Sequence, residues 1–145
     1  RPAREQVLAR SGRKGGDREW VCSTLVVTAD TEGGLAASKL AARKQLAFYG
    51  STPAYLPTLV CHGWESVHEE LNRLSKAGRW DDMTSLIGDE VLNEIAVVGE
   101  PHEIAGKLRA RLEGIADGVS LTHNRCPDPG HWAGVVRELR RGRKP

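Results

Sequence analysis

The densest hydrophobic run in the chain covers residues 20–28, where apolar and β-branched side chains follow one another almost without interruption. Such a run predicts a strand that is covered on both faces, as in a parallel sheet. Residues 117–121 form a shorter run after a tight turn and predict a second strand. We therefore expect two parallel strands, separated by a connection that is much longer than one crossover helix needs.

Apolar residues at helical spacing predict the elements around these strands. Thr31 is a suitable N-cap for a helix over 33–48. Pro101 fits the first turn of another helix, whose inner stripe includes Ile104 and Leu108. The remaining expected elements are helices over 3–11, 65–77 and 131–139, a helical turn over 81–86, a helix over 89–98 whose last residues are ambiguous, and a loop over 50–63.

The composition bounds the class of protein. The 145 residues suffice for one domain with its own core, and 39% apolar with 28% charged residues is ordinary for a soluble protein. A net charge of +2 favours neither nucleic acid nor an anionic membrane as partner, and no apolar run approaches the roughly 20 residues of a membrane helix. Three widely spaced cysteines and no visible secretory signal favour a reduced, cytoplasmic setting. The basic tail over 140–145 is short, and we expect it to be solvated rather than bound to nucleic acid.

An unusual group of side chains stands at the end of the first long helix. Tyr49, Ser51, Thr52 and Tyr55 occur there together with a glycine and a proline. Proline prevents the helix from continuing and glycine permits a sharp exit, so aromatic rings and hydroxyls come together at one bend. The pattern favours a ligand-facing loop, although a tyrosine-rich helix end is also typical of ordinary packing.

A metal site is the other chemistry that the sequence raises. His123, Cys126 and His131 have the spacing His-x2-Cys-x4-His, and Cys61 with His62 would offer further ligands. The spacing matches no standard zinc pattern, and two prolines and a glycine interrupt it. We therefore expect no metal and interpret this segment as a surface loop with a buried cysteine.

Two parts of the sequence together carry a resemblance to a known family. The first is residues 48–55 (FYGSTPAY) followed by 62–64 (HGW), and the second is residues 97–105 (VVGEPHEIA) followed by 118–121 (GVSL). The second resembles the Val-Gly-x-Pro-Glu-Glu-Val-Ala helix start and the final Gly-Val-Asp strand of the luciferase-like monooxygenase superfamily. The first is similar to the branch of that superfamily that uses the deazaflavin coenzyme F420. Residues 11–13 (SGR) also resemble a turn of that family.

The resemblance implies an α/β fold, the C-terminal portion of a (β/α)8 TIM barrel. A complete barrel has eight strands in about 250 residues. The two expected strands correspond to the seventh and eighth, so residues 1–145 are expected to form a single partial domain, mostly helical with about two parallel strands. Two strands cannot close on themselves. We therefore expect a homo-oligomer, or association with the missing part of the barrel.

The resemblance also implies a function and a site. It implies an oxidoreductase that transfers hydride between F420, or alternatively FMN with oxygen, and a small organic substrate. Barrel enzymes place their chemistry after the strands, so His123 and the segment with Tyr49, Ser51, Thr52 and Tyr55 are expected to bind cofactor or substrate. A structural role for His123 is the alternative. No catalytic residue is identified.

The chain also departs from the family pattern. His102 replaces a carboxylate, and Glu100 stands where threonine or aspartate would cap the helix better. Gly33 and Gly34 are expected to fray the start of the first long helix. These departures support a second hypothesis, a truncated remnant that folds or self-associates but does no chemistry.

Overall fold

The central strand of the molecule arises from the run of β-branched and apolar residues near the start of the chain. In the computed structural model, which describes residues 6, 9–10, 19–123 and 129–141, this run forms a strand that is buried towards its carboxyl end. The elements are β1 (Val21–Val27), α1 (Glu32–Gly50), a 3-10 turn (Pro53–Tyr55), α2 (Leu56–Val60), α3 (Glu65–Lys76), α4 (Trp80–Thr84), α5 (Asp89–Ile95), β2 (Ala96–Val98), α6 (Pro101–Leu112), β3 (Gly118–Thr122) and α7 (Pro129–Arg141).

The described strands form one parallel sheet in the order β2-β1-β3. Leu25 pairs with Ala96 on one side of β1 and with Thr122 on the other. The expected parallel pairing of the two predicted strands is therefore confirmed. The expectation of about two strands was too low, because residues 96–98 form a third strand directly after α5. Three residues at the end of a helical pattern are too few to show the alternation of a strand.

Helices cover both faces of the sheet. Adjacent residues of a strand point to opposite faces, and Val27 packs against a core formed with α1, α3, α4 and α5. Val26, on the other face, packs with Ile104 and Leu108 of α6 and Val135 of α7. Each face therefore has its own core, and the two meet at the carboxyl-terminal half of β1.

The amino-terminal half of the sheet is open on the α1 side. Val21 is 58% exposed, and Ser23, Ser120 and Thr122 are also exposed. The hydroxyl oxygens of Ser23 and Thr122 lie 3.1 Å apart across the β1–β3 pair. Polar side chains thus line the part of this face that the helices of the described residues leave exposed.

The start of α1 is well capped. The Thr31 hydroxyl accepts a hydrogen bond from the Gly34 N–H at 3.1 Å, as the sequence predicted. Gly34 has a specific role here, because an added Cβ would lie 2.9 Å from that hydroxyl oxygen. The expected fraying is not seen in the structure, since the helix already begins at Glu32.

The segment 50–63 is not the loop that we expected. It contains the 3-10 turn and α2, each with a proline in its first turn, Pro53 and Pro57. Proline fits this position because the first helical N–H groups have no partner within the helix. Gly63 then ends the segment with φ of 71°, a conformation that favours glycine.

The start of α6 compensates for its poor N-cap. The Glu103 carboxylate accepts a hydrogen bond from the Glu100 N–H at 2.9 Å and pairs with Lys107 at 3.1 Å. Lys107 also donates to the Val98 carbonyl oxygen at 2.9 Å, which links the helix to the end of β2. The N–H bond lowers the pKa of Glu103, with Lys107 adding to the effect.

Some expectations fall on residues outside the described part of the chain. The helix expected over 3–11 is described only at positions 6, 9 and 10, which are helical. The turn around Gly12 and the tail beyond Arg141 also lie outside the described residues.

Candidate functional site

A small cavity lies at the carboxyl end of β1 and β3, and we refer to it as the strand-end cavity. Its volume is about 10 Å³. The lining residues come from β1 and the residue after it, from α1, from the residue after β3 and from α7: Val26, Val27, Thr28, Ser38, Ala42, His123 and Trp132. Ligands of parallel α/β proteins bind at this end of the strands, because the loops that follow the strands converge there.

Two polar atoms in this cavity have no hydrogen-bond partner in the described part of the chain. Thr28 is only 4% exposed, and its Oγ1 is buried without a partner. The Nδ1 atom of His123 is likewise buried and unpartnered. Since buried polar groups nearly always have partners, this pair marks the position as unusual.

The surroundings hold both residues in place. The Ser38 hydroxyl donates to the backbone oxygen of Thr28 at 3.4 Å, which ties α1 to the end of β1. The His123 ring stacks on the Trp132 ring, with centroids 5.0 Å apart and planes 23° apart. His123 therefore lies between the Trp132 ring and the strand-end cavity that it helps to line.

The other predicted site segment is at the opposite end of α1. Ser51 is buried, and its hydroxyl donates to the Phe48 carbonyl oxygen at 2.8 Å. The Thr52 hydroxyl donates to the same oxygen at 3.2 Å. Both hydroxyls thus satisfy a carbonyl group at the end of α1, which has no partner within the helix.

The end of α1 is also anchored to α3. Nδ1 of His68 donates to the Gly50 carbonyl oxygen at 2.7 Å, and Nδ2 of Asn72 donates to the Ser51 carbonyl oxygen at 2.8 Å. Gly50 is required by packing, because an added Cβ would lie 2.8 Å from Cδ1 of Leu71. These contacts hold the following turn in one position.

Four exposed aromatic rings form a row beside this anchor, which we call the aromatic row. Tyr49 stacks on Tyr55 at 5.1 Å, Phe48 lies 5.9 Å from Tyr49, and Trp80 of α4 lies 6.3 Å from Phe48. The four residues are between 37% and 54% exposed. Sequence reasoning identified the tyrosines but missed Trp80, whose only sequence signal is an aromatic residue at the start of a polar helix.

The structure does not bring the two predicted groups together. Ser38 lines the strand-end cavity, and Tyr49 lies eleven residues further along the same helix. At 1.5 Å per residue, they are separated by about 16 Å along the helix axis. His123 and the tyrosines are thus at different positions on the molecule, and their roles in binding stay a prediction.

The His-x2-Cys-x4-His cluster, for which we expect no metal, is only partly described. Cys126 and the side chain of His131 lie outside the described residues, and His62 stacks on Trp64 at 4.6 Å. Within the described part of the chain, no group of three or more His, Cys, Asp or Glu side chains is placed to hold a metal ion.

A groove of about 610 Å³ runs along the outer edge of β3, between α6 and α7. Leu112, Val119 and Leu139 give it an apolar floor, and Asp117 and Arg140 also line it. The β3 edge beside it pairs with no other strand in the described residues. Apolar surface next to an unpaired strand edge is typical of a surface that another chain or segment covers.

The fold and the strand-end cavity define an α/β protein with a parallel sheet. Polar side chains, Thr28 and His123, follow two of its strands and line one cavity. The comparisons identify the family: the chain matches the luciferase-like monooxygenase family over residues 2–118 and belongs to it. His123 lies beyond the matched residues, so the argument for His123 rests on geometry alone.

Three curated relatives carry the same resemblance. They are the uncharacterized proteins Mb1395 of Mycobacterium bovis and MT1405 and Rv1360 of Mycobacterium tuberculosis. Each is 52% identical over 118 residues, which are 81% of this chain and 35% of the relative. The chain thus spans about a third of the length of the curated relatives it matches. No solved structure matches it significantly.

Among the helices of the described residues, none combines the length and the apolar character needed to span a bilayer.

Proposed function

We propose that this chain forms part of a cytoplasmic luciferase-like oxidoreductase, in which hydride passes between F420, or alternatively FMN with oxygen, and a small organic substrate. The observation that carries the proposal is the pair of buried polar atoms on Thr28 and His123, at the carboxyl ends of two parallel strands, that have no partner among the described residues. Family membership supports the oxidoreductase class. The choice of F420 rests on the resemblance of residues 48–55 and 62–64 alone.

The arrangement of the sheet supports a portion of a barrel. In a (β/α)8 barrel, helices pack on the outer face of the strands and side chains fill the interior. Here α6 and α7 pack on one face of β1 and β3, and the opposite face is exposed and polar at Ser23, Ser120 and Thr122. This exposed part would correspond to the interior, whereas the packing of α1 on Val27 of the same face departs from a barrel. In a barrel, strands that follow one another in the chain lie side by side. Here β1 lies between β2 and β3, so β2 would be an additional strand at the edge of the barrel portion.

The cofactor does not fit the strand-end cavity. A cavity of about 10 Å³ holds roughly one water molecule, whereas a flavin or deazaflavin has three fused rings. This chain would therefore contribute one wall of a site that is completed elsewhere. When bound, the cofactor would supply the hydride chemistry, and these residues would bind and orient it. The exposed rings of Tyr49 and Tyr55 suit contact with a planar ring by stacking.

A second function of a different class is favoured by the open surfaces. The outer edges of β2 and β3 are unpaired in the described residues, and the groove beside β3 is apolar. A non-catalytic remnant that associates with itself, or with the rest of a barrel, would cover these surfaces. A remnant that associates only with itself needs no small-molecule substrate, whereas one that joins the rest of a barrel would take part in binding one. The hypothesis involves neither nucleic acid nor a membrane.

Direct titration separates the two functions. The 145-residue chain is mixed with oxidised F420 and, separately, with FMN, and cofactor fluorescence is followed. Because the chain would form only one wall of the site, the enzyme proposal predicts weak but saturable binding, with Kd above about 10 µM. Tyr55→Ala should weaken this binding further, and His62→Ala, at an exposed aromatic residue outside the aromatic row, should leave it unchanged. Absence of binding, together with dimers or larger species in analytical ultracentrifugation, would favour the remnant.

A further inference from the structure

The core between the sheet, α6 and α7 is incompletely covered at β3. Val26 of β1 is 2% exposed and Val97 of β2 is 5% exposed. Val119 and Leu121 of β3 pack against the same core but are only half-buried. Both faces of a parallel sheet are normally covered. The core therefore ends at the groove of about 610 Å³ along the outer edge of β3, where its apolar side chains are still partly exposed.

Arginine side chains outnumber carboxylates around this groove. Arg109 and Arg140 line it, and Arg140 also lines a second open depression on α7 together with Arg137 and Arg141. The same two linings contain only two carboxylates. Arg141 forms an ion pair within α7, whereas Arg137 and Arg140 are exposed and neither pairs with another described residue. The groove thus combines an apolar floor with a basic rim.

The other segments of this chain do not complement that rim in charge. Residues 1–18 contain six basic and two acidic side chains, and the last four residues contain Arg143 and Lys144 without an acidic one. A second copy in a symmetric contact would bring the same arginines to the interface from both sides. Because like charges placed opposite each other disfavour a contact, an occupant with acidic side chains fits the groove better.

We propose that this groove binds an extended, acidic segment of another protein chain, which adds to the sheet as a further strand at the outer edge of β3. Half-buried Val119 and Leu121 alternate with exposed Ser120 and Thr122. A segment with the same alternation continues both faces of the sheet, and its main chain pairs with the free edge. Acidic residues at its ends lie near the arginine rim. The inference deepens the association function proposed above and does not depend on hydride transfer.

The test uses the full 145-residue chain and two fluorescent nine-residue peptides. Both peptides alternate valine and threonine at the centre, and they carry either two glutamates or two lysines at each end. We expect saturable binding of the glutamate peptide in fluorescence anisotropy, with Kd on the order of 100 µM, and weaker binding of the lysine peptide. At about ten times the Kd, amide exchange in residues 118–122 should slow about tenfold, whereas residues 96–98 at the other edge should keep their rate.

A reversal of charge sharpens the test. Arg140→Glu should weaken binding of the glutamate peptide about threefold to fivefold and strengthen binding of the lysine peptide. Lys76→Glu, at an exposed position of α3, changes the net charge equally and should leave both affinities unchanged. Equal binding of the two peptides by the unchanged protein, or unchanged exchange in residues 118–122, would overturn the proposal.

Other occupants of the groove give different results. Protection of residues 118–122 that rises with protein concentration before peptide is added would show that a second copy covers the groove. Protection that depends on neither protein nor peptide concentration would show that another segment of the same chain covers it. Either result overturns the proposal of an external partner. The cofactor titration is measured separately, so failure of the enzyme proposal is distinguishable from failure of this one.

Discussion

The strand-end cavity and the aromatic row are built on the same helix, yet they are opposite in character. The cavity is small, buried and contains polar atoms without partners in the described residues. The aromatic row is exposed and apolar, and the polar groups beneath it are satisfied by His68, Asn72 and the hydroxyl of Ser51. Unsatisfied polar atoms and exposed aromatic rings are two different signs of binding, and each calls for a different ligand.

This difference shows which residues carry the scaffold and which are available for function. Ser51 and Thr52 were predicted as binding residues, but their hydroxyls are engaged at the end of α1. Tyr49 and Tyr55 leave their rings exposed instead. We therefore compare the loss of unfolding free energy caused by substitutions beneath the aromatic row with the loss caused by substitutions of its rings. If the row is a binding surface supported by the scaffold, the substitutions beneath it should have the larger effect.

The largest expected effect is at Leu71, which is fully buried beneath the aromatic row and packs against Gly50. Leu71→Ala should lower the free energy of unfolding by about 2–5 kcal/mol, because it leaves a cavity in the core. Ile115→Ala, at an exposed position, should change it by less than about 0.5 kcal/mol. Urea denaturation followed by circular dichroism measures both values. Equal effects would mean that the helical core does not depend on this contact.

A second expected effect is at His68, whose Nδ1 donates to the Gly50 carbonyl oxygen. His68→Ala leaves this buried carbonyl without its partner and should cost about 1–3 kcal/mol of unfolding free energy. His102→Ala, at an exposed histidine, serves as the control and should be nearly neutral. A neutral result for His68→Ala, measured by thermal denaturation, would contradict the anchoring role.

The two helical glycines Gly50 and Gly106 should respond with opposite sign. A Cβ at Gly50 meets Leu71 at 2.8 Å, so Gly50→Ala should destabilise by about 1–3 kcal/mol through overpacking. A Cβ at Gly106 has no neighbour within 4 Å, so Gly106→Ala should stabilise by about 0.5–1 kcal/mol through helix propensity. Differential scanning calorimetry of the two variants checks the sign. Stabilisation by both would show that the end of α1 is not closely packed.

Within the aromatic row the expected effects are smaller. A double-mutant cycle on Tyr49→Ala and Tyr55→Ala should give a coupling of about 0.5 kcal/mol, at the lower end for aromatic pairs because both rings are exposed. The cycle is measured by chemical denaturation of the four proteins. A coupling energy well above about 0.5 kcal/mol would mean that the aromatic row stabilises the fold rather than offering a binding surface.

The smallest expected effect concerns acid stability at the start of α6, away from the aromatic row. The Glu100 N–H lowers the pKa of Glu103, so its contribution to stability is present above the ordinary glutamate pKa of about 4.3 and is lost as the pH falls through the lowered pKa. Glu103→Gln should therefore flatten the dependence of stability on pH in this acid range. Glu70→Gln, which removes a surface pair with Arg73, should flatten it less. A reversed order, measured by urea denaturation at several pH values, would contradict this.

Local signals predicted much of the fold. The strand at β1, the Thr31 cap and the start of α6 at Pro101 follow from patterns within a few residues. The pairing of β1 with β3 joins distant residues and was expected because both runs predict parallel strands. The helices in residues 50–63 were missed, although Pro53 and Pro57 fit the first turns of such elements. β2 was not predicted because its three residues are too few to show the alternation of side chains that is typical of a strand.

The candidate site was predictable only in part, for a physical reason. Tyr49 and Tyr55 are close in sequence, so their joint position could be inferred from one bend. Thr28 and His123 come from different strands, and no sequence pattern shows whether a hydroxyl at the end of a strand has a partner. Such a property depends on the packing of α1 and α7 around the strand ends.

The central position of β1 has a consequence for biosynthesis. Its two partners come much later in the chain, since Leu25 pairs with Ala96 and Thr122. As the nascent polypeptide leaves the ribosome, α1 to α5 emerge before either partner strand is available. The hydrophobic segment Val21–Val27 must therefore wait for these two partners until residues 96–98 and 118–122 have emerged, and in this interval chaperones that bind extended apolar peptides have their opportunity to act.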